Sequence, residues 1–282
     1  MDGPGIIVRS LSQARIEDQF KNEWQYHSQS DRHSKIACWA LLYDLLQNCP
    51  LLLKHITLAK VGFGINHEML DFRTRRKKNL DLVLCTPGTA VERKPATFSS
   101  LAKDYDLNLL PNERERLADL PRLPRISVGS VHVAIEAKAV MTEHVKALPR
   151  LYDELNSSHS AIHGSAEFTI AVGFAMVNAS ASFVSPGRNK FDRAKQDPIV
   201  TRLKQPAVTL RTISKLLEIP RRVQQHGEGF DALGIMVVEL RNDGSPVKLV
   251  TESPAPKGND IDNYGQMIYR IASLYSNKFA DI

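Results

Sequence analysis

The residues whose types and spacing could do chemistry are Glu136 and Lys138, in SVHVAIEAKAVM (130 to 141), and Asp81, in NLDLVLC (79 to 85). An acid and a lysine in the middle of an apolar strand need a reason, because a buried charge is costly unless it is paired, hydrated or bound to a metal. Side chains of an extended strand alternate between faces. Val131, Val133 and Ile135 should therefore point one way, and His132, Ala134, Glu136 and Lys138 the other. Glu136 and Lys138 then lie two strand steps apart on one face, roughly 6.6–6.8 Å along the backbone. Asp81 offers a second carboxylate from another short apolar strand. Phosphodiester hydrolysis uses such a set. Carboxylate oxygens suit Mg²⁺, which keeps waters and substrate phosphate as its other ligands. A bound metal makes its water easier to deprotonate, and a nearby lysine can orient that water or stabilise the transition state.

The elements that must position these residues are legible in part. Ile36, Trp39, Ala40, Tyr43 and Leu46 recur at helical spacing over 31 to 48, and the pattern stops at Asn48-Cys49-Pro50. Residues 11 to 29 read as a polar helix or N-terminal arm. Strands are expected at 56 to 65 and 79 to 85, joined by the basic run from Arg73 to Lys78. Residues 86 to 128 read as an irregular insertion with a short helix near 111 to 120. After the strand at 130 to 141, Thr142 can cap a helix to about Ser157, which Pro149 should kink or restart. Residues 168 to 177 form a near-continuous apolar strand, of the kind buried on both faces. A helix near 209 to 219, strands at 232 to 240 and 246 to 250, and a helix over 262 to 279 complete the chain. The pattern specifies an α/β fold with a mixed sheet flanked by helices. We read one domain over 1 to 282, with 178 to 282 extending the same sheet.

Asp81 followed by Glu136-Ala137-Lys138 resembles the acidic-residue-plus-ExK signature of the PD-(D/E)XK nuclease superfamily, which includes many restriction endonucleases. The order helix (31 to 48), strand, strand with Asp81, strand with Glu136-Ala137-Lys138, helix, strand (168 to 177) is similar to that family's α-β-β-β-α-β core. The resemblance covers roughly residues 31 to 177. It implies a restriction endonuclease-like fold in which the insertion near 86 to 128 loops out. It also implies that Asp81 and Glu136 bind Mg²⁺, that the Ala137 carbonyl joins them, and that Lys138 assists the attacking water. A homodimer cutting both strands of double-stranded DNA follows by the same analogy. Leu80 stands where the motif's name has proline, and the gap from Asp81 to Glu136 is 136 − 81 = 55 residues, long for the family. Asp119 in LADL is the competing acid. The family often adds a carboxylate from the first helix, for which Glu23 and Asp44 are the candidates.

The net charge is +6, and its distribution is uneven. From Arg188 to Arg222 there are ten Lys or Arg and three acids, so 10 − 3 = +7, leaving 6 − 7 = −1 for the rest of the chain. Arg188, Lys190 and Arg193, together with Arg75, Arg76, Lys77 and Lys78, are candidates for contacts to a nucleic-acid backbone. His144 reads as a polar residue of a helix's first turn, and His159 and His163 as surface or capping residues. The three cysteines (Cys38, Cys49, Cys85) have neither disulfide nor zinc spacing. There is no signal-peptide pattern and no apolar run of about 18 residues, so we expect a reduced, cytoplasmic protein. The expected activity is a Mg²⁺-dependent endodeoxyribonuclease of restriction or phage-defence type. The rivals are a non-catalytic nucleic-acid-binding protein and a nuclease that is RNA-directed or ligand-triggered.

Overall fold

The computed structural model describes residues 1–282 apart from Arg93, Glu143, Gln225 and the side chain of Val145. In chain order its elements are α1 (Gly3–Leu11), β1 (Ile16–Glu17), β2 (Glu23–Trp24), α2 (Arg32–Asn48), α3 (Pro50–Thr57), β3 (Gly62–Leu70), β4 (Lys77–Pro87), α4 (Phe98–Asp104), α5 (Pro111–Asp119), β5 (Val128–Val140), α6 (His144–Ser165), β6 (Ile170–Asn178), β7 (Ser182–Val184), β8 (Val200–Arg202), α7 (Ala207–Leu217), β9 (Ala232–Glu239), β10 (Lys248–Val250) and α8 (Tyr264–Lys278). Among the described residues, one six-stranded mixed sheet has the order β10-β9-β6-β5-β4-β3. Strands β5, β6 and β9 are parallel to one another, and the outer pairings are antiparallel. Every residue of β6 is buried, which its unbroken apolar run requires of a strand covered on both faces. One face packs against α2 and α8, with α1 and α3 outside them. The other packs against α6 and α7. Strands β9 and β10 continue the sheet beyond β6. No single helix among the described residues is long and apolar enough to cross a membrane.

Four expectations need correction. The N-terminal helix is α1, not 11 to 29, which instead holds the small β1–β2 hairpin. Ile6, Ile7 and Leu11 bury α1 in the core, and this short apolar face was masked by Gly and Pro. The first sheet strand starts at Gly62, not at Ile56, because Pro50 opens the separate helix α3. Helix α6 runs unbroken through Pro149 to Ser165. A proline inside a helix costs about 3 kcal/mol. Leu148, Leu151, Leu155 and Ile162 are all buried against the sheet, and each such burial is worth about 1.5–3 kcal/mol. Finally, the β4–β5 register shifts between Leu84↔Val133 and Cys85↔Val131. That bulge turns Val131 towards the α6 side with Ala134, and lets His132 stack on Phe279, the residue that follows α8, at 4.4 Å. The strict alternation therefore holds from Val133 onwards but not before it.

The β3–β4 hairpin leaves the sheet halfway along. The β4–β5 ladder ends at Leu82↔Ile135, although β4 continues down to Lys77 and β5 up to Val140. The β3–β4 ladder skips the level of Asn66 and Asp81, where Asn66 takes a left-handed conformation (φ 52°), one that asparagine tolerates better than most residues. Leu82 belongs to the core on the α2 side, but Leu80 and Met69 join the core on the α6 side. The hairpin tip lies on α6, with Phe72 N–H donating to the Gly164 carbonyl (3.2 Å) and Arg73 to the Ser160 carbonyl (3.3 Å). Strands β4 and β5 thus open as a fork, and the chemistry-bearing residues lie in it.

Candidate active site

Asp81 and the Glu136-Ala137-Lys138 triplet meet in this fork. The backbone N–H of Ala137, which a continuing ladder would have paired with β4, donates instead to Asp81 Oδ2 at 2.8 Å. A residue's N–H and C=O point to the same side of an extended strand, so the Ala137 carbonyl also faces the fork. Of the 54 residues between Asp81 and Glu136, those outside β4 and β5, from 88 to 127, form α4, α5 and their loops, which sit beside α1 and α2 rather than in the sheet. The Glu136 side chain is 1% exposed, and its Oε1 lies 2.8 Å from Lys138 Nζ and 3.7 Å from Lys78 Nζ. Its Oε2 is buried without a hydrogen-bond partner among the described residues. Lys138 Nζ is also 3.5 Å from Glu154 Oε2 on α6, and Arg150 Nε donates to Glu154 Oε1 at 2.6 Å. Lys78 Nζ donates to the Glu154 carbonyl at 3.4 Å. Ser34, in the first turn of α2, reaches Asp81 from the other side of the sheet.

The electrostatics of the fork are those of an incomplete site. Burial raises the Asp81 carboxyl above its ordinary value, against the stabilising effects of the Ala137 N–H and Lys138. Burial likewise raises Glu136, and Asp81 adds to it, although Lys138 acts the other way. Burial pushes Lys138 down, but the Glu136 carboxylate outweighs it and holds the ammonium above the usual lysine value. For Glu154 the hydrogen bond from Arg150 and the charge of Lys138 overcome burial and lower the value. A buried carboxylate with an orphaned oxygen, its charge disfavoured by a part-buried carboxylate nearby, is a setting that a small hard cation relieves. The donor set fits Mg²⁺, which needs one or two carboxylates and keeps several waters. Among the described residues no group of three or more His, Cys, Asp or Glu forms a closed metal cage. A cavity of about 10 Å³ lies on the α2 side of Asp81, lined by Ser34, Cys38, Asn66 and Tyr105 and not by Glu136, Ala137 or Lys138.

The structure places the other candidates as follows. Asp119 is exposed at the end of α5, away from the fork, so the acid brought to the triplet is Asp81. Asp44 is buried on α2, where it accepts from the N–H groups of Asp2 (2.9 Å) and Gly3 (2.8 Å) and caps α1. Glu23 lies in β2, exposed, outside the first sheet-packing helix altogether. Neither joins the site. Arg75 and Arg76 are exposed at the hairpin tip, whereas Lys77 pairs with Glu68 (2.8 Å). Lys78, expected to contact a nucleic-acid backbone, is 19% exposed and turned into the fork, because the hairpin folds onto α6. Lys190 is exposed, and Arg188 bonds Thr201 (3.1 Å). Arg193 stacks its guanidinium 4.6 Å from the ring of buried Trp24. Arg222, counted in the basic stretch, is an interior residue at 4% exposure. The sequence reading missed Glu154. The apolar stripe Leu148, Leu151, Leu155 and Ile162 places it at the edge of the buried face of α6, the only signal that could have found it.

A second buried charged cluster lies towards the C-terminal end of α6. His159 Nδ1 accepts from the Gly229 N–H (3.3 Å), and His163 Nε2 donates to the Gly229 carbonyl (3.0 Å). Gly229 has φ 113°, and a Cβ there would meet the Pro220 carbonyl oxygen at 2.2 Å. Arg222 Nη1 donates to His163 Nδ1 (2.9 Å) and to the Glu167 carbonyl (2.9 Å). Asp231 Oδ2 accepts from Ala171 N–H (2.8 Å) and lies 3.8 Å from Arg222. Burial lowers His159 to about 4, and burial with the Arg222 charge lowers His163. These histidines are interior clamps, not surface residues. The cavity beside them, about 280 Å³, is far larger than that beside Asp81.

Against known proteins, the chain matches no family model, no curated protein and no solved structure.

Proposed function

We propose that the protein is a Mg²⁺-dependent nuclease with a restriction endonuclease-like fold. One observation carries this reading: the strand fork that sets Asp81 on the Ala137 N–H also leaves a buried oxygen of Glu136 unpartnered beside Lys138. In this reading Asp81, Glu136 and the Ala137 carbonyl hold the cation. When bound, Mg²⁺ supplies Lewis-acid stabilisation of the charge that builds on the phosphoryl group. Lys138 presents its ammonium from the same strand face, where it orients the attacking water and stabilises the phosphoryl oxygens. Asp81 does double work, since the Ala137 N–H that fixes it also fixes the backbone carrying the next carboxylate. Arg75, Arg76 and Lys190 are the exposed cations available to substrate phosphates. We assign double-stranded DNA as the substrate, and a homodimer as the form that cuts both strands. The helix–strand–strand–strand–helix–strand order of α2, β3, β4, β5, α6 and β6 supports the fold assignment.

The test is incubation with plasmid DNA and, separately, with RNA, each with Mg²⁺ and with EDTA. Mg²⁺-dependent cutting of the plasmid is the expected result. Cutting of RNA alone moves the substrate, and binding without cutting of either polymer rejects the enzyme.

A further inference from the structure

Among the described residues Lys138 pairs with two carboxylates, and only one of them is a proposed cation ligand. Glu136 is 2.8 Å away on the same strand, and Glu154 is 3.5 Å away on α6. A cation seated on Glu136 draws on that carboxylate's charge and repels the ammonium beside it. The partner that remains is Glu154. It has no competing duty towards the cation, since its Oε1 is engaged by Arg150 (2.6 Å) while Oε2 faces Lys138. Its position is fixed from both ends. The backbone carbonyl of Glu154 accepts from Lys78 Nζ (3.4 Å), which ties this turn of α6 to β4, and Leu151 and Leu155 anchor the turn in the core. Glu154 and Lys138 are comparably accessible, with side chains 29% and 28% exposed, so the pair sits at the rim of the fork where a substrate phosphate would enter.

We infer that Glu154 is a positioning residue of this site: it holds the Lys138 ammonium in place against a cation on Glu136, with Arg150 in turn orienting Glu154. This inference rests on the nuclease reading and extends it to a residue outside the Asp81, Glu136, Lys138 set. It predicts a one-way dependence. Glu154 acts only through Lys138, and Arg150 only through Glu154.

The experiment is single-turnover and steady-state cleavage of plasmid DNA by the full chain. The variants are Glu154→Gln, Lys138→Gln, the double variant and Arg150→Gln, with thermal unfolding measured on each. Glu154→Gln should lower kcat by about tenfold to a hundredfold, the usual cost of losing a residue that orients an active-site group, with KM for DNA unchanged. In the Lys138→Gln background the same substitution should change the residual rate by less than about twofold. Arg150, whose side chain is 84% exposed, is the variant certain to leave the core intact, and Arg150→Gln should give a smaller loss of kcat in the same direction. An equal fractional loss from Glu154→Gln in both backgrounds overturns the inference, as does a loss confined to KM. A wild-type protein that cuts nothing overturns the nuclease reading and this inference together. An active wild type with an unaffected Glu154→Gln variant overturns the inference alone.

Discussion

Helix α6 carries two buried charged clusters, one at Glu154 in its middle and one towards its C-terminal end, and they differ in completeness. At the C-terminal end His159, His163, Arg222 and Asp231 are each hydrogen-bonded, and the bonds go largely to backbone: Gly229, Glu167 and Ala171. In the cluster at Glu154, Glu136 keeps a buried oxygen with no hydrogen-bond partner among the described residues, and its neighbours are side chains rather than backbone. The histidine cluster adjoins a cavity of about 280 Å³, and Asp81 adjoins one of about 10 Å³. A satisfied buried network locks a fold, whereas a buried carboxylate with an orphaned oxygen costs free energy that a ligand can offset.

The largest expected effect breaks this contrast if it fails. Lys138→Ala should cost about 10²–10³-fold in cleavage rate, and Glu136→Ala should abolish Mg²⁺-dependent cleavage, while both fold and still bind DNA. His163→Ala should do the opposite. It strands the Gly229 carbonyl and a donor of buried Arg222, so it should destabilise by about 1–3 kcal/mol in denaturant unfolding and leave kcat unchanged. Comparable kcat losses in the two sets would erase the distinction.

The two clusters should also respond to pH with opposite sign. Asp81 and Glu136 sit above their ordinary values in the folded state. Folding therefore takes up protons, and their contribution is fully present below the ordinary carboxylate value and lost as pH rises through the raised one. His159 and His163 are lowered, His159 from 6.5 to about 4. Their contribution is present above pH 6.5 and lost as pH falls towards 4. In metal-free protein, Glu136→Gln should therefore raise Tm at neutral pH by a few degrees at most, an advantage that shrinks on acidification. His163→Ala should be most costly at neutral pH and less so in acid. Differential scanning across acid and neutral buffers reads both trends. The smallest effect belongs to the exposed tip. Arg75→Ala and Arg76→Ala should leave Tm unchanged and each reduce the salt dependence of DNA affinity, in log–log slope, by about 1.

How much of this was legible in the sequence differs by residue. The strand bearing Glu136 and Lys138, the acid-bearing strand at Asp81 and the helix at 31 to 48 were readable because their periodicity is strong. Glu154 was not, because its meeting with Lys138 depends on the turn-by-turn phase of a helix containing Pro149. Lys78 looked like a surface cation because the departure of the β3–β4 hairpin from the sheet is a tertiary event, centred on one left-handed residue, Asn66. Arg222 was counted as part of a basic surface because composition cannot tell an interior guanidinium from an exposed one. The α3 helix hid behind Leu51-Leu52-Leu53, an apolar run that serves strand and helix equally.

The central claim is that the orphaned Glu136 oxygen marks a cation site. Calorimetric titration of metal-free protein with Mg²⁺ tests it most directly, with Glu136→Gln and His163→Ala alongside the wild type. The account predicts saturable binding by the wild type and by His163→Ala, and its loss in Glu136→Gln. Binding that survives Glu136→Gln unchanged, or no binding by the wild type, would contradict it.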